Sequence, residues 1–351
     1  FNTLHKIIYL KLRVFFFIKV KEPGSKISNP TWNYTPDLPI KTAPYFNWPP
    51  DSKHIIRWLI ERWFPITERG LLVCLAVFIW VFATPALERC KTLQIGWMAE
   101  IYFRNFIIMC LVAGGAHLYL YTFSKQQKLL KFDAKDLKKN NSLFNFKNQV
   151  WDNMLWSLAS GVTVWSMYEI IIMWGFANGY GFMFDFSDNR VWFIALFFLL
   201  PFWQAFAFYW IHRALHWPPL YRIAHVVHHR NTNIGPWSGN SMHPIEHVLW
   251  LSSVLIHWVI ASHPIHVLFF QLSQVISAIT NHSGFESIMV RDKNRIAMGD
   301  FFHQLHHRYY ECNYGSIETH WDKLFGTFHD GTDEGLEITR RRKREMHKRT
   351  I

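Results

Sequence analysis

Apolar residues run almost unbroken over 71–87, 101–123, 154–176 and 191–211. As helices, these runs cross or nearly cross a hydrocarbon layer of ~30 Å. A helix of a soluble protein carries one apolar stripe, whereas these are apolar nearly all round, which predicts four transmembrane helices. A fifth region, 248–280, is broken by Ser262, His263 and Pro264 into two pieces that are each marginal for crossing. It reads as a helical hairpin that returns to the side it entered from, or dips partway. Residues 23–50 hold seven prolines and little periodicity, which predicts an extended segment that wraps the surface. Residues 1–21 join Lys6, Lys11, Arg13, Lys19 and Lys21 to IIYL and VFFFI without an acid, as an interfacial helix or the remnant of a targeting segment does.

Composition agrees with a membrane body. Of 351 residues, 50% are hydrophobic, 18% aromatic and 18% charged, which excludes a disordered chain. Cys74, Cys90, Cys110 and Cys312 have no paired spacing, so neither a disulfide scaffold nor a cysteine metal site is indicated. The net charge of +12 is unevenly placed: +5 lies in residues 1–30, +5 in 124–149 and +6 in 339–351, leaving −4 for the rest. Basicity confined to ends and one loop argues against nucleic-acid binding. Seven lysines in the loop 124–149 put that loop on the cytoplasmic side, together with the histidine-rich part that follows residue 211.

Histidine is more lopsided than charge, with 14 of the 20 lying in residues 212–307. His212 and His216 are four apart in HRALH. His225, His228 and His229 form HVVHH, and His303, His306 and His307 repeat that spacing in HQLHH. Offsets of three and four share a helix face, so each cluster aims two or three imidazoles at a common point. His243 and His247 are again four apart, and His282 follows Asn281. Imidazole binds iron, zinc, copper and nickel, and so many of them exceed what one ion can use, which implies two metals. For His257, His263, His266, His320 and His329 the plainer reading is a satisfied polar or anchoring residue.

HRALH, HVVHH, Asn281-His282 and HQLHH, followed by Asn313-Tyr314-Gly315 and by WDKLFGT at 321–327, resemble the sterol desaturase and fatty acid hydroxylase superfamily of membrane-bound histidine-rich dimetal oxygenases. The resemblance covers roughly 190–330; residues 31–150 match nothing in it. It implies metal ligation by His212, His216, His225, His228, His229, His282, His303, His306 and His307. A tenth ligand is His243, before Pro244, with His247 as the alternative. The two ions would be iron, with zinc as what a purified sample could carry, and O2 would be the co-substrate.

The resulting expectation is an all-α integral membrane protein of about four transmembrane helices plus a short helical hairpin, with a cytoplasmic-side helical histidine-rich metal-binding cap. Its parts are an amino-terminal interfacial or extended segment (1–70), transmembrane helices (71–211), a histidine-box region including the hairpin 248–280 (212–338) and a basic tail (339–351). The implied function is hydroxylation or desaturation of a lipid, sterol-like or acyl/alkyl, in the endoplasmic reticulum, a bacterial inner membrane or the mitochondrial inner membrane. No nucleotide or flavin fingerprint is present, so electrons would come from a partner such as a cytochrome b5 or ferredoxin type protein. The basic loop and tail suit such an acidic donor or anionic lipid headgroups. Asp300, three residues before His303, is the acid expected to orient a ligand, with Glu246, Glu311 and Asp322 nearby. Trp237, Trp250 and Tyr314 line a lipid path or act as anchors. The competing readings are a non-catalytic accessory subunit of a larger membrane complex, against which all three histidine boxes are complete, and a zinc transporter or hydrolase. The last would pair histidines with acids inside spans, which offer Glu169 and Glu100.

Overall fold

The computed structural model describes residues 31–63, 69–290 and 294–350. The expected helix over 1–21 lies outside them. The chain is mostly helical. Its principal helices are α1 (Ser52–Trp63), α2 (Leu71–Ala83), α3 (Ile95–Thr122), α4 (Gln149–Ala177), α5 (Arg190–Leu215), α6 (Val226–His229), α7 (Pro244–Leu251), α8 (Pro264–Asn281), α9 (Phe301–Tyr309) and α10 (Asp333–Thr350). An antiparallel pair, β1 (Ser287–Val290) and β2 (Asn294–Ala297), joins Ser287 to Ala297 in register; the all-helical expectation missed it.

Among the described residues three helices, α3, α4 and α5, are long and apolar enough to cross a membrane, where the sequence predicts four. The difference lies at α2, whose 13 residues reach ~20 Å at 1.5 Å each. Pro85 follows, the Thr84 hydroxyl turns back to the Ile79 carbonyl at 2.9 Å, and Arg104 caps the Ala83 carbonyl at 3.1 Å. The acids of the long helices face cations, not histidines. Glu169 pairs with Arg104, beside Asn105 and Ser166, and Glu100 pairs with Arg89 at 2.7 Å. That removes the ground for the transporter reading.

The hairpin forms. His263 accepts the Ile265 amide at 3.1 Å and Pro264 opens α8, so the break in the apolar run is a helix start. Fourteen of the 18 residues of α8 are buried, because it runs through the interior against α2, α5 and the turn Pro236–Asn240. That close approach needs Gly239, whose added Cβ would lie 2.1 Å from the Ala278 carbonyl oxygen.

Residues 31–50 wrap as expected, over the part of the molecule that holds the histidines. The Trp32 ring packs on Phe301 at 5.0 Å, the Ile40 amide donates to Asp330 O at 2.8 Å, and Ala43 N to Ile317 O at 3.0 Å. The basic loop joins the same cap. Asp133 pairs with Arg308, and buried Gln126 donates to Ser287 O at 3.0 Å. Parts of residues 31–150 therefore pack onto the part of the chain that carries the histidines.

Candidate metal centre

Four elements bring the histidines together. α5 ends on His212 and His216. A π-turn over Tyr221–His225 runs into α6 and carries the second cluster, His282 caps the end of α8, and α9 carries the third cluster. The approach to α6 is fixed from the start of α4. There Gln149 and Asn153 donate to Asn231 Oδ1 at 3.0 and 2.9 Å, and Asn231 donates to the His228 carbonyl at 3.1 Å. Nothing in the motifs pointed to these amides; the signal was three polar residues, Gln149, Asp152 and Asn153, at the head of an apolar run.

The imidazoles form two groups within which every donor nitrogen lies inside 4.8 Å of the others. Site A is His212, His216, His225, His229 and His306; site B is His228, His282, His303 and His307. Each triplet is divided between them. Its members four apart stay together and the middle one crosses, so His225 and His229 serve site A with His228 in B, while His303 and His307 serve B with His306 in A. The expectation of two or three rings on one point thus becomes two on one point and one on its neighbour. The rings of His229 and His307, 4.9 Å apart, join the groups.

Five of the nine outer nitrogens face acceptors. Nδ1 of His212 faces Tyr314 O at 2.6 Å, that of His306 faces Cys312 O at 2.6 Å, and that of His282 faces Ala278 O at 2.8 Å. His225 Nδ1 meets Glu246 Oε1 at 2.7 Å, and His228 Nδ1 meets Ser241 O at 3.4 Å. A neutral imidazole that donates from Nδ1 keeps a lone pair on Nε2. Those Nε2 atoms converge: His306 lies 3.0 Å from His229 and 3.3 Å from His216, and His282 lies 3.0–3.3 Å from His307, His303 and His228. Lone pairs at that separation repel unless a cation lies among them. The donor set therefore fits metal ions, two in number, of the kind that take imidazole.

The electrostatics agree. Burial first, and the neighbouring imidazoles after it, hold His216, His225, His229, His303 and His307 well below the usual histidine range, and burial takes His282 down to about 4. Neutral rings are what coordination requires. Burial also pushes the Glu246 carboxyl well up.

The structure does not bring His243 into either group. As the cap of α7 its Nδ1 accepts the Ile245 amide at 3.3 Å, and its ring lies 6.0 Å from Trp156. His247, also outside both groups, bonds Ser160 Oγ through Nδ1 at 2.8 Å. Asp300 accepts the Phe302 amide at 2.9 Å and starts α9, so the acid found on a clustered histidine is Glu246 instead. Asp322 acts one step further out. It accepts Tyr314 N at 2.9 Å, Gly315 N at 2.8 Å and the Thr327 hydroxyl at 2.6 Å, fixing the carbonyl that receives His212. Trp237 and Trp250 are buried in the main apolar core, whereas the Tyr314 ring lies 4.8 Å from that of His216. His257, His263, His266, His320 and His329 stay outside both groups.

Residues 196–327 match the family model described as fatty acid hydroxylase. The chain is similar to the Delta(7)-sterol 5(6)-desaturase of Eremothecium gossypii, 31% identical over 40% of this chain and 38% of that one. It is similar to a probable Delta(7)-sterol 5(6)-desaturase of Neurospora crassa, 26% identical over 60% of each chain. The Candida albicans enzyme of the same description is 28% identical over 46% of this chain and 42% of its own. The chain thus spans between 38% and 60% of the length of these relatives. No solved structure matches it. The histidine boxes that fold into two adjoining sites lie within the matched residues, and the family match and these relatives together support the resemblance to the sterol desaturase and fatty acid hydroxylase superfamily.

Proposed function

We propose that the chain is a membrane-bound, dimetal, O2-dependent oxidoreductase that hydroxylates or desaturates a lipid with electrons from an external donor. The observation that carries this is the convergence of Nε2 atoms in two buried groups, with the Nδ1 atoms of His212, His225, His228, His282 and His306 held from behind. In this reading the nine grouped histidines are the ligands, five on one ion and four on the other, and His243 is a helix cap. Iron, the ion the family resemblance implies, accepts an imidazole donor set and supports O2 chemistry. The relatives are named for a sterol, so a sterol or similarly bulky lipid is the substrate class the likeness favours. Lysine placement favours the cytoplasmic face for the centre, and the packing of the basic loop onto the cap supports one side for both.

When bound, the two ions supply the redox chemistry that activates O2 toward an unactivated C–H bond. The chain's own residues do the rest. Tyr314, Cys312 and Ala278 carbonyls and the Glu246 carboxyl hold the imidazoles in one tautomer, each accepting from Nδ1. Burial of the rings excludes bulk water and keeps them unprotonated. Asp322 fixes the loop that bears the Tyr314 carbonyl.

Metal analysis of the purified chain tests the reading. About two ions per chain are expected from a donor set divided this way, with His306→Ala emptying site A and His228→Ala site B. Lipid profiles of cells with and without the protein should differ in one hydroxylated or unsaturated species. A folded preparation that takes up no metal would overturn the proposal.

A further inference from the structure

The face of α4 that meets the cap is polar, and the opposite face is not. Gln149 and Asn153 reach inward to Asn231 and Ser160 reaches His247, whereas Trp151, Leu155 and Ala159 recur at offsets of four on the outer side and are exposed. Between that outer side and Tyr102 and Phe106 of α3 lies an open groove of ≈ 670 Å³, within the range of about 300–1,000 Å³ that small-molecule sites occupy. Phe146, just before α4, stands at its loop end. From Trp151 to Ala159 the groove follows α4 for ~12 Å at 1.5 Å per residue. The packing opens there for a local reason: Ser157–Gly161 form a π-turn, and Ala159 within it brings only a methyl group to the space.

The loop before α4 gathers cations at the same end. Gln149 N donates to Lys138 O at 3.0 Å, Asn141 N donates to Lys147 O at 3.0 Å, and Lys139 bridges Asn148, so residues 138–141 lie antiparallel beside 147–149. Lys139 and Lys147, both exposed, thus come onto neighbouring stretches of chain beside Phe146. The three acids of residues 124–160 are engaged elsewhere: Asp133 with Arg308, Asp136 with Lys128 at 3.4 Å and Asp152 with Arg230 at 2.5 Å. Among the described residues no acid pairs with Lys139 or Lys147.

We propose that the groove between α3 and α4 binds one anionic phospholipid, its acyl chain against Phe106, Leu155 and Ala159 and its headgroup phosphate at Lys139 and Lys147. Both helices are long and apolar enough to cross a membrane, so the groove opens toward acyl chains and its lysine end toward headgroups. Basic sites between membrane helices take anionic headgroups, and here the two requirements meet at one place. A neutral lipid would use the groove without the lysines; a free anion would use the lysines without the groove. α4 itself stands between the groove and site B, because its inner amides hold Asn231 and through it the His228 carbonyl. The lipid is therefore a bound component that braces the head of α4, not a molecule presented to the metal sites.

Native mass spectrometry of the full chain in neutral detergent, with phosphatidylserine as probe and phosphatidylcholine as control, tests this. One phosphatidylserine should be retained per chain and should raise Tm, with phosphatidylcholine held roughly tenfold less well. K139Q/K147Q should weaken phosphatidylserine retention by a similar factor and leave phosphatidylcholine unchanged. Ala159→Phe fills the groove and should weaken both lipids. If either variant lowers the helix content of the lipid-free chain, K147Q and Ala159→Leu should give the same directions by smaller amounts. Equal retention of the two lipids by the unaltered chain, or undiminished phosphatidylserine retention by K139Q/K147Q, overturns the proposal. An effect of the lysines with none from Ala159→Phe reduces the site to a surface that attracts headgroups and also overturns it. So does competition by glycerophosphoserine, the headgroup without acyl chains, at the same concentration as the lipid.

Discussion

The Nδ1 of His225 lies 2.7 Å from Oε1 of Glu246, and both side chains are buried. One joins a metal site and the other lies on the first turn of α7, so this pair ties the second histidine cluster to the helical hairpin. A carboxylate behind a ligating imidazole fixes its tautomer and raises its basicity, and losing such a partner costs roughly 10–100-fold in metal affinity. Glu246→Gln keeps the shape and removes the carboxyl group that faces His225 Nδ1. Its site A should release metal to a chelator at correspondingly lower concentration, while site B is unaffected. Equal affinity at both sites in the variant would refute the assignment.

Gly239→Ala should damage site B from a distance. The new Cβ would meet the Ala278 carbonyl oxygen, the same atom that accepts His282 Nδ1 at 2.8 Å. Overpacking against backbone costs about 1–3 kcal/mol, and relief requires that carbonyl to move. A lower Tm together with loss of the site B ion is the expected result. Full metal content with a normal Tm would show that the turn at 236–240 does not support His282.

Asp322→Ala leaves the buried amides of Tyr314 and Gly315 and the Thr327 hydroxyl without their acceptor. Each unsatisfied buried group costs about 1–3 kcal/mol, so strong destabilisation is expected. Asp322→Asn retains one acceptor oxygen and should recover part of the stability, yet the Tyr314 carbonyl behind His212 would still be less firmly held. Denaturant unfolding with metal counting separates the two effects, and an alanine variant of native stability would contradict the role given to Asp322.

Acid should destabilise the metal-free chain. Buried histidines whose folded pKa is lowered bind fewer protons than in the unfolded chain, where the ordinary value is 6.5. Their contribution is therefore fully present above pH 6.5 and is lost as pH falls from there toward about 4, the folded value of His282. Tm measured between pH 7.5 and 4.5 should decline throughout that window, and bound metal should be released over it because protons compete for Nε2. A flat profile would mean that the clustered rings are not kept neutral by burial.

Much of this was legible in the sequence because it depends on local periodicity. Apolar runs fixed α3, α4 and α5, proline content marked the wrapping segment, and histidines four apart had to share a helix face. Other features depend on what a residue meets far along the chain. Pro85 and Arg104 set the end of α2 at Ala83, and the depth of α8 follows from Gly239, about forty residues before its last turn in sequence but touching it in space.

The site shows the same division. The sequence by itself showed the histidines three and four apart that share a helix face, and the resemblance its motifs carry named the nine that gather together with His243, which does not. Only the tertiary structure decided that each triplet is split between two sites, that His243 caps a helix, and that Glu246 rather than Asp300 stands behind an imidazole. Three of the acceptors behind the rings are backbone carbonyls, at Ala278, Cys312 and Tyr314. Every residue has a carbonyl, so no side-chain pattern marks the ones that matter; only the path of the chain does.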